Sequence, residues 1–369
     1  MRASDIPDEM RRLMAPKMTK EFYGPSPGIF IGAEGYPKVN AGPLGIMENN
    51  PLYDNPASWL NLSYMRIICM RAATLRANKK ENIFSKERFV GDLQEISLAS
   101  LPTEVEMIFS KKPLFSMDFD RITQPIGPSA KLEKLRITEN PKIDVKVEKV
   151  AADELKANEA ARILYSTGID VYKITTILSS GALGIDKKMV PTRWSITATD
   201  DIITKSLLHD VRTYNSINEI MVFESFNLDN RFVVLMMPGS WEFENFESWP
   251  RGSQWYGLEE EYEPFAGRTC YAEKQAGGYY ASRLGVVEHL HKIKRQARVV
   301  VFREIYEGYS VPLGVWVVRE NSRNMFKNPP KGFDLISEAL VYIAGRLRHP
   351  IGMYLRKSKI LRQKRMSDF

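Results

Sequence analysis

The sequence predicts an α+β fold, with mixed, largely antiparallel sheets and flanking helices in two closely packed parts. Segments with the two-residue alternation of strands lie among segments with the three- to four-residue period of helices. Several predicted strands follow one another through short turns, which favours this arrangement over a doubly wound parallel sheet. The chain has 369 residues, of which 44% are hydrophobic, so cores of ordinary size are expected.

In the N-terminal part, short strands are predicted first, because β-rich residues lie between Gly and Pro turn signals. Helical spacing of apolar residues then predicts helices, and alternation or β-branched composition predicts further strands. In chain order these are strands 29–31 and 38–40, helix 56–80, a helix or helical hairpin at 86–101, strands 104–110 and 132–150, helix 151–165 and strand 170–179.

Aromatic residues, Gly and paired charges become denser from Pro191, which marks a second part. Alternation predicts strands there, and an acidic residue after the first strand caps the first helix. In chain order the elements are strand 193–199, a helix to 214, a hairpin of 219–226 and 231–237, strand 241–249, helix 281–298, strands 299–306 and 311–318, and helix 334–347.

The chain is therefore divided into four segments. Residues 1–22 are a basic N-terminal segment, and residues 23–190 are an N-terminal α+β part. Residues 191–355 are a C-terminal α+β part, and residues 356–369 are a basic tail.

The charge of the chain favours a polyanionic partner. Its net charge is +7 and its pI is about 9.1, a balance that favours partners such as nucleic acid. An excess of this size also fits a plain soluble protein. No stretch approaches the roughly 18 apolar residues of a membrane helix, and no signal region follows the start, so no membrane partner is expected.

The cysteine and histidine content predicts neither a disulfide framework nor a metal site. Cys69 and Cys270 are the two cysteines, and they are far apart in sequence. His289 and His291 are two apart in a predicted helix, so they face different ways. We expect a cytoplasmic protein without a cofactor.

The last seven residues, Gln-Lys-Arg-Met-Ser-Asp-Phe, have the pattern of a docking peptide. Met366 and Phe369 are three apart, so one helical turn would join them into an apolar plug beside the hydrogen-bonding amide of Gln363. The pattern resembles the peptide with which replication and repair proteins bind the PCNA sliding clamp. The alternative is that these residues are a frayed helix end.

Two glycines before the predicted helix 281–298 form a candidate phosphate site. Gly277 and Gly278 allow close approach of an anion to the backbone, and a helix N-terminus favours one. Arg283 lies in the first turn, where it could bind a phosphate. The alternative is a tight turn with aromatic residues packed below.

Two further motifs carry arginines that could contact nucleic acid. As a strand, residues 193–199 would place Arg193, Ser195 and Thr197 on one face, which could bind phosphate oxygens or be a solvated edge. Arg303 and Glu304 lie in the predicted strand 299–306. For Arg303 an ion pair with a neighbouring strand is the first interpretation, and phosphate binding is the alternative.

Glu242 and Glu244 share one face of the predicted strand 241–249, as the carboxylates of a metal-dependent nuclease would. The same alternation is what a half-buried strand shows. The sequence thus leaves a phosphate-handling enzyme open as an alternative function, with these two residues as catalytic candidates.

Several motifs in the same order resemble the archaeal Nre family of DNA repair proteins, and the similarity covers nearly all of the chain from about residue 23. They are Pro-Gly-Ile-Phe-Ile-Gly at 27–32, Gly-Tyr-Pro-Lys-Val-Asn-Ala-Gly-Pro-Leu at 35–44, Arg-Trp-Ser-Ile-Thr-Ala at 193–198, Gly-Gly-Tyr-Tyr-Ala-Ser-Arg-Leu at 277–284, Arg-Glu at 303–304 with Pro-Leu-Gly-Val-Trp at 312–316, and the tail.

The resemblance implies a cytoplasmic archaeal protein that acts in DNA damage repair and binds the PCNA clamp through Gln363, Met366 and Phe369. It also implies DNA as a partner and leaves room for other repair proteins. Many members of the family begin with a four-cysteine zinc segment, whereas residues 1–20 contain no Cys. Zinc is therefore not expected here.

Overall fold

The structure is a computed structural model that describes residues 18–47 and 50–362. These residues form two units, each built on a six-stranded mixed sheet, and so confirm the predicted α+β class. The first unit extends to Ile203 and includes Val311–Gly314; the second comprises Thr204–Ser310 and the residues from Val315 onward. The boundary placed between residues 190 and 191 stays a prediction.

The sheet of the first unit has the order β1-β5-β6-β4-β3-β2, and only β4 and β6 pair in parallel. Its strands are β1 Glu21–Ser26, β2 Ile29–Ile31, β3 Lys38–Ile46, β4 Thr74–Asn82, β5 Thr103–Phe109 and β6 Ser129–Ile137. Alternate residues of these strands build one apolar core. In β5, for example, Val105, Met107 and Phe109 point into it.

The helices of the first unit are short and mostly amphipathic. They are α1 Tyr64–Ala72, α2 Arg88–Leu98, α3 Val145–Ala152, α4 Ala157–Ser166, α5 Val171–Ser180 and the start of α6 Thr192–Val211, with 3-10 helices at Pro51–Asp54 and Pro56–Asn61. Helix α2 buries Phe89, Leu93 and Ile96 in the core that the sheet also supplies. This covers one face of the sheet.

Three predictions for this unit were wrong about the extent of an element. The predicted helix 56–80 includes α1, but α1 ends at Ala72 and β4 begins at Thr74. The predicted strand 132–150 ends at Ile137, because Asp144 caps α3 through the amide of Lys146. The predicted helix 151–165 is interrupted, with α3 ending at Ala152 and α4 starting at Ala157.

The predicted strand 170–179 is helix α5, despite its β-branched composition. Asp170 caps the helix by accepting hydrogen bonds from the amides of Tyr172 and Lys173. Ile174, Ile177 and neighbouring side chains bury at helical spacing. Capping and packing therefore override the β propensity of the segment.

The sheet of the second unit has the order β10-β9-β11-β8-β7-β12, and only β9 and β11 pair in parallel. Its strands are β7 Ile220–Asn227, β8 Asn230–Met237, β9 Glu242–Trp249, β10 Gly257–Glu263, β11 Arg298–Ile305 and β12 Lys331–Phe333. The predicted hairpin is confirmed as β7 and β8, which pair antiparallel. The predicted strands 241–249 and 299–306 are confirmed as β9 and β11.

The helices of the second unit are the end of α6, α7 Gly277–Ile293, α8 Trp316–Met325, α9 Ile336–Ala344 and α10 Ile351–Lys357. The predicted helices 281–298 and 334–347 correspond to α7 and α9. The strands predicted at 193–199 and 311–318 were wrong, because residues 193–199 lie in α6, and residues 311–318 comprise the approach to α8 and its first three residues. Among the described residues, no helix has both the length and the apolar character to cross a membrane.

Candidate functional site

The sheet of the first unit has one apolar face and one polar face. Val39, Ala77 and Met107 point into the core, so residues of the opposite parity point away from it. On three adjacent strands, β3, β4 and β6, these residues are largely cations and amides. We call this surface the cationic face; it consists of Lys38, Asn40, Arg76, Asn78, Lys80 and Lys131.

Strand register brings the members of the cationic face together. Asn40 lies opposite Lys80 on β3 and β4, and Asn78 is in register with Lys131 on β4 and β6. Side chains directly opposite each other in an antiparallel pair lie about 5 Å apart. Amides and cations thus alternate across three strands, which suits hydrogen bonding to an anion.

The lysines of this face differ from a lysine on the other face of the same strand. Lys79 forms ion pairs with Glu81 and Glu87, both at 3.7 Å. Within the part of the chain that the structure describes, neither Lys80 nor Lys131 forms an ion pair. Their charges therefore remain available to a ligand.

Arg76 is the most enclosed cation of the face. Its guanidinium lies 4.9 Å from the ring centroid of Phe30, which is a cation–π contact. Burial lowers the pKa of Arg76, while the nearby charges of Asp118 and Glu34 raise it. The side chain stays charged, as arginines in proteins do.

Two aromatic side chains stand beside the cationic face. Tyr36, in the turn between β2 and β3, and Trp194, in the first turn of α6, have ring centroids 5.1 Å apart with an interplanar angle of 54°. Their positions are linked because the amide of Ile31 donates to Thr192 Oγ1 at 2.9 Å. Tyr36 is 45% exposed and Trp194 is 44% exposed. We call these two residues the aromatic pair.

Arg193 lies next to the aromatic pair, but the helix changes the predicted geometry. Arg193 is exposed and lies 3.7 Å from Asp120. Ser195 is buried, and its hydroxyl donates to the carbonyl of Val190. In a helix Arg193 and Thr197 are one turn apart, whereas Ser195 points elsewhere, so the predicted strand face does not form.

In the second unit, Arg303 lies in a buried ion pair between adjacent strands. Its Nη1 donates to Glu247 at 2.6 Å, and these residues are directly in register on β11 and β9. The guanidinium also donates to Asn230 Oδ1 at 3.1 and 2.7 Å. The sequence-based interpretation of Arg303 as a cross-strand ion pair is confirmed.

Arg283 has a similar environment. It is buried on α7 and pairs with Glu263 of β10, which also accepts a hydrogen bond from the hydroxyl of Tyr279 at 2.8 Å. Burial raises the pKa of Tyr279 well above its ordinary value. The guanidinium is thus held inside the protein by a carboxylate.

Gly278 allows a carboxylate to approach the start of α7. A Cβ on Gly278 would lie 2.9 Å from Glu247 Oε2, and both Gly277 and Gly278 are buried. An anionic group is favoured at a helix N-terminus, and here the protein's own Glu247 occupies that region. Phosphate binding by Gly277, Gly278 and Arg283 stays a prediction.

Glu244 holds the segment that leads to the C-terminus. The hydroxyl of Ser358 donates to one carboxylate oxygen, and the amide of Lys359 donates to the other at 2.6 Å. Burial raises the pKa of Glu244 to about 7, although these hydrogen bonds lower it. The carboxylate is therefore a buried anchor for residues 358–359.

Glu242 lies on the same face of β9 and contacts the C-terminal segment indirectly, through Arg298 of the neighbouring strand β11. Its carboxylate pairs with Arg298 of β11 at 2.9 Å, and Arg298 Nη2 donates to the carbonyl of Ile360 at 2.9 Å. The hydroxyl of Tyr262 also donates to Glu242 at 2.9 Å. Both candidate catalytic carboxylates thus have partners that hold the C-terminal segment.

Comparison with known proteins places the sequence in one family. Residues 5–256 match the family described as archaeal Nre, N-terminal, and residues 263–369 match archaeal Nre, C-terminal. The chain belongs to the archaeal Nre family. No solved structure is detectably similar to this Nre chain.

Named relatives of the Nre chain come from two archaea. DNA repair protein NreB of Archaeoglobus fulgidus is 35% identical, over 92% of this chain and 88% of the relative. DNA repair protein NreA of the same organism is 37% identical, over 93% and 89%. DNA repair protein NreA of Haloferax volcanii is 35% identical, over 86% and 80%. The family resemblance stated from the motifs is confirmed.

The structure brings together only some of the site residues that the sequence predicted. Arg283 and Arg303 both lie between α7 and the second sheet, each with a glutamate partner. Glu242 and Glu244 point to the other face of β9, and Arg193 belongs to the first unit. The described residues contain no group of three or more His, Cys, Asp or Glu that could hold a metal ion.

Gln363, Met366 and Phe369 lie outside the described residues. The sequence reasoning also missed the cationic face and the aromatic pair. A signal for the face was present in the alternation of Arg76, Asn78 and Lys80, but the prediction of a helix across residues 56–80 hid it.

Proposed function

We propose that this Nre chain is a DNA repair protein that docks on the PCNA sliding clamp through its C-terminal peptide and acts at damaged DNA. The names of the relatives support the repair role, and the Gln-x-x-Met-x-x-Phe pattern supports docking. The proposal implies DNA and the clamp as partners, and a cytoplasmic location. Other repair proteins are compatible further partners.

The structural observation that carries the docking proposal is the anchoring of the chain just before the peptide. We call residues 354–362 the tail root. The hydroxyl of Tyr354 donates to Glu304 at 2.7 Å, and Glu304 also accepts from the amides of Arg348 and His349. With the contacts of Glu244, the tail root is held by two buried carboxylates.

The last described residue, Arg362, is exposed. Gln363 follows it directly in the chain, so the peptide starts from a fixed point on the second unit. A peptide with a fixed origin needs less ordering of the chain that precedes it when it binds, and that lowers the entropic cost of docking. This geometry suits a docking element.

The size of the peptide limits its affinity. Burial of Met366 and Phe369 contributes about 2–3 kcal/mol each, from which the cost of ordering the peptide must be subtracted. A dissociation constant in the micromolar range, which we expect for this peptide, corresponds to about 8 kcal/mol, so contacts beyond the two apolar side chains, such as the hydrogen bonds of Gln363, would supply the remainder.

The test is titration calorimetry of the full chain and of a chain lacking residues 363–369 against the purified clamp. We expect the truncated chain to lose clamp binding and to keep the thermal unfolding midpoint of the full chain. Phe369→Ala should weaken binding at least 10-fold, because it removes about 2 kcal/mol of burial. Ser367→Ala is the matched control and should bind normally. Clamp binding by the truncated chain as tight as by the full chain would refute docking through the peptide.

The contacts of Glu242 and Glu244 favour a docking protein over a metal-dependent nuclease. Glu242 is engaged by Arg298 and Tyr262, and Glu244 by Ser358 and Lys359. The two carboxylates thus have a structural explanation that requires no catalysis. The Glu242→Ala plus Glu244→Ala chain should bind DNA normally and show a less stable tail root.

A further inference from the structure

We propose that the cationic face and the aromatic pair of the first unit form a binding site for single-stranded DNA. The inference rests on the proposed function, and it assigns DNA contact to a surface of defined residues. Phosphates would lie along Lys38, Lys80, Lys131 and Arg193, and an unpaired base would stack on the aromatic pair.

Charge complementarity is the first argument. Lys80 and Lys131 have no carboxylate partner among the described residues, in contrast to Lys79 on the opposite face of β4. Asn40 and Asn78 lie beside these lysines and add neutral hydrogen-bonding groups. A surface that tracks a phosphodiester backbone combines such groups.

The acidic residues near the site leave the lysines in excess. Asp120 lies 3.7 Å from Arg193, and Glu34 and Asp118 interact with Arg76. These carboxylates offset the two arginines. Lys38, Lys80 and Lys131 therefore supply the net positive charge of the surface.

The aromatic pair is the second argument, and it selects single strands. Tyr36 and Trp194 are each nearly half exposed, although large aromatic side chains are mostly buried in folded proteins. The centroids of their rings lie 5.1 Å apart, and Tyr36 lies in the turn that leads directly to Lys38. Bases of a duplex are already stacked on one another, whereas an unpaired base can stack on a protein ring.

Lys80 also connects the cationic face to the aromatic pair. A Cβ on Gly35 would lie 3.4 Å from Lys80 Nζ, so the ammonium group reaches the turn that carries Tyr36. A base on the aromatic pair would thus have its phosphate near a lysine. This spacing is what a stacking platform beside a cationic groove requires.

The experiment measures binding of the full chain to a fluorescein-labelled 20-nucleotide oligo-dT by anisotropy, with the corresponding duplex and oligo-U as competitors. Trp194→Ala should weaken binding about 10-fold, and Trp194→Phe should restore most of it. Lys80→Ala should weaken binding several-fold and make the slope of log affinity against log salt shallower by about 0.7. Circular dichroism checks that each variant is folded.

Two matched controls come from the same chain. Lys79→Ala removes a paired lysine from the opposite face of β4, and Tyr256→Ala removes an exposed aromatic residue of the second unit. Both should bind oligo-dT within about twofold of the parent, since neither belongs to the proposed site.

The outcomes separate this inference from the proposed function. Equal affinity of the parent, Trp194→Ala and Lys80→Ala chains for oligo-dT would overturn the site. Preference for the duplex or for oligo-U would overturn the assignment to single-stranded DNA, and so would the absence of any binding. Clamp docking is measured separately by deletion of residues 363–369, so it can stand or fall independently.

Discussion

Replacement of Glu247 by Gln should strongly destabilise the second unit. The substitution keeps the side-chain volume and removes the negative charge that neutralises Arg303. In the parent protein the side chain of Arg303 is 5% exposed and that of Glu247 is 2% exposed. The substitution would leave the guanidinium buried without the negative charge of Glu247. Arg303 cannot release its proton as a buried lysine would, so the cost cannot be avoided by a change of protonation.

The expected magnitude follows from the contacts. Removal of one partner of a buried ion pair typically costs about 3–5 kcal/mol. Two hydrogen bonds from Arg303 to Asn230 would remain, so we expect the lower end, about 3 kcal/mol. Glu247 also accepts a hydrogen bond from Trp249 Nε1 at 2.6 Å, and a Gln oxygen can replace that acceptor.

The assay is urea unfolding monitored by tryptophan fluorescence, for which Trp249 is a probe close to the substitution. The matched control is Glu307→Gln, because Glu307 pairs with Arg348 at 2.8 Å and is 72% exposed. An exposed pair contributes about 0–1 kcal/mol. If Glu247→Gln lost no more stability than Glu307→Gln, the pair would not be a structural element of the core.

A second variant separates the cost of an unpaired charge from the value of the pair. In the double variant Glu247→Leu plus Arg303→Met both charges are removed, and apolar replacements of buried pairs are often neutral or stabilising. We expect the double variant to be more stable than Glu247→Gln alone. If Arg303 instead bound phosphate, its replacement would weaken DNA binding without this stability pattern.

Two further predictions concern a helix contact and a buried carboxyl group. Gly285→Ala should destabilise the protein by about 1–3 kcal/mol in thermal or urea unfolding, because its Cβ would lie 2.6 Å from Ser322 Cβ on α8. Gly91→Ala, with open space around it, should instead stabilise α2 by about 0.5–1 kcal/mol. For Glu244, the folded-state pKa of about 7 lies above the ordinary 4.5. The contribution of this side chain to the free energy of unfolding is therefore fully present below pH 4.5 and is lost as the pH rises through 7. Stability relative to Glu244→Gln should therefore fall by up to about 3 kcal/mol between pH 4.5 and pH 8, and an unchanged difference in urea midpoint would contradict the raised pKa.

Local patterns predicted the elements in which packing and propensity agree. Strand β5 alternates regularly, β7 and β8 lie on either side of a short turn, and α2 carries an apolar stripe. The predictions failed where β-branched residues lie in helices. Helices α5 and α6 contain many Ile, Thr and Val residues, and side-chain packing decides their conformation.

The candidate site was predictable only in part, because local patterns restrict contacts between strands but do not show which distant residues meet. Arg303 and a glutamate on a neighbouring strand were expected to pair, and they do, because strand parity restricts the partners of a strand residue. Tyr36 and Trp194 are separated by more than 150 positions in the sequence. Their meeting depends on the docking of Thr192 against Ile31, which no local pattern encodes.

The sequence by itself determined the α+β class, the membership of the archaeal Nre family and the Gln-x-x-Met-x-x-Phe pattern of the last seven residues, because these depend on composition and on residues near one another in the chain. The tertiary structure decided which charges are neutralised. Arg283 and Arg303 pair with buried glutamates. Glu242 and Glu244 bind groups that hold the C-terminal segment. Lys80 and Lys131 remain on an open face of the first sheet. Ion pairing depends on distance in space, and strand register and helix docking set that distance.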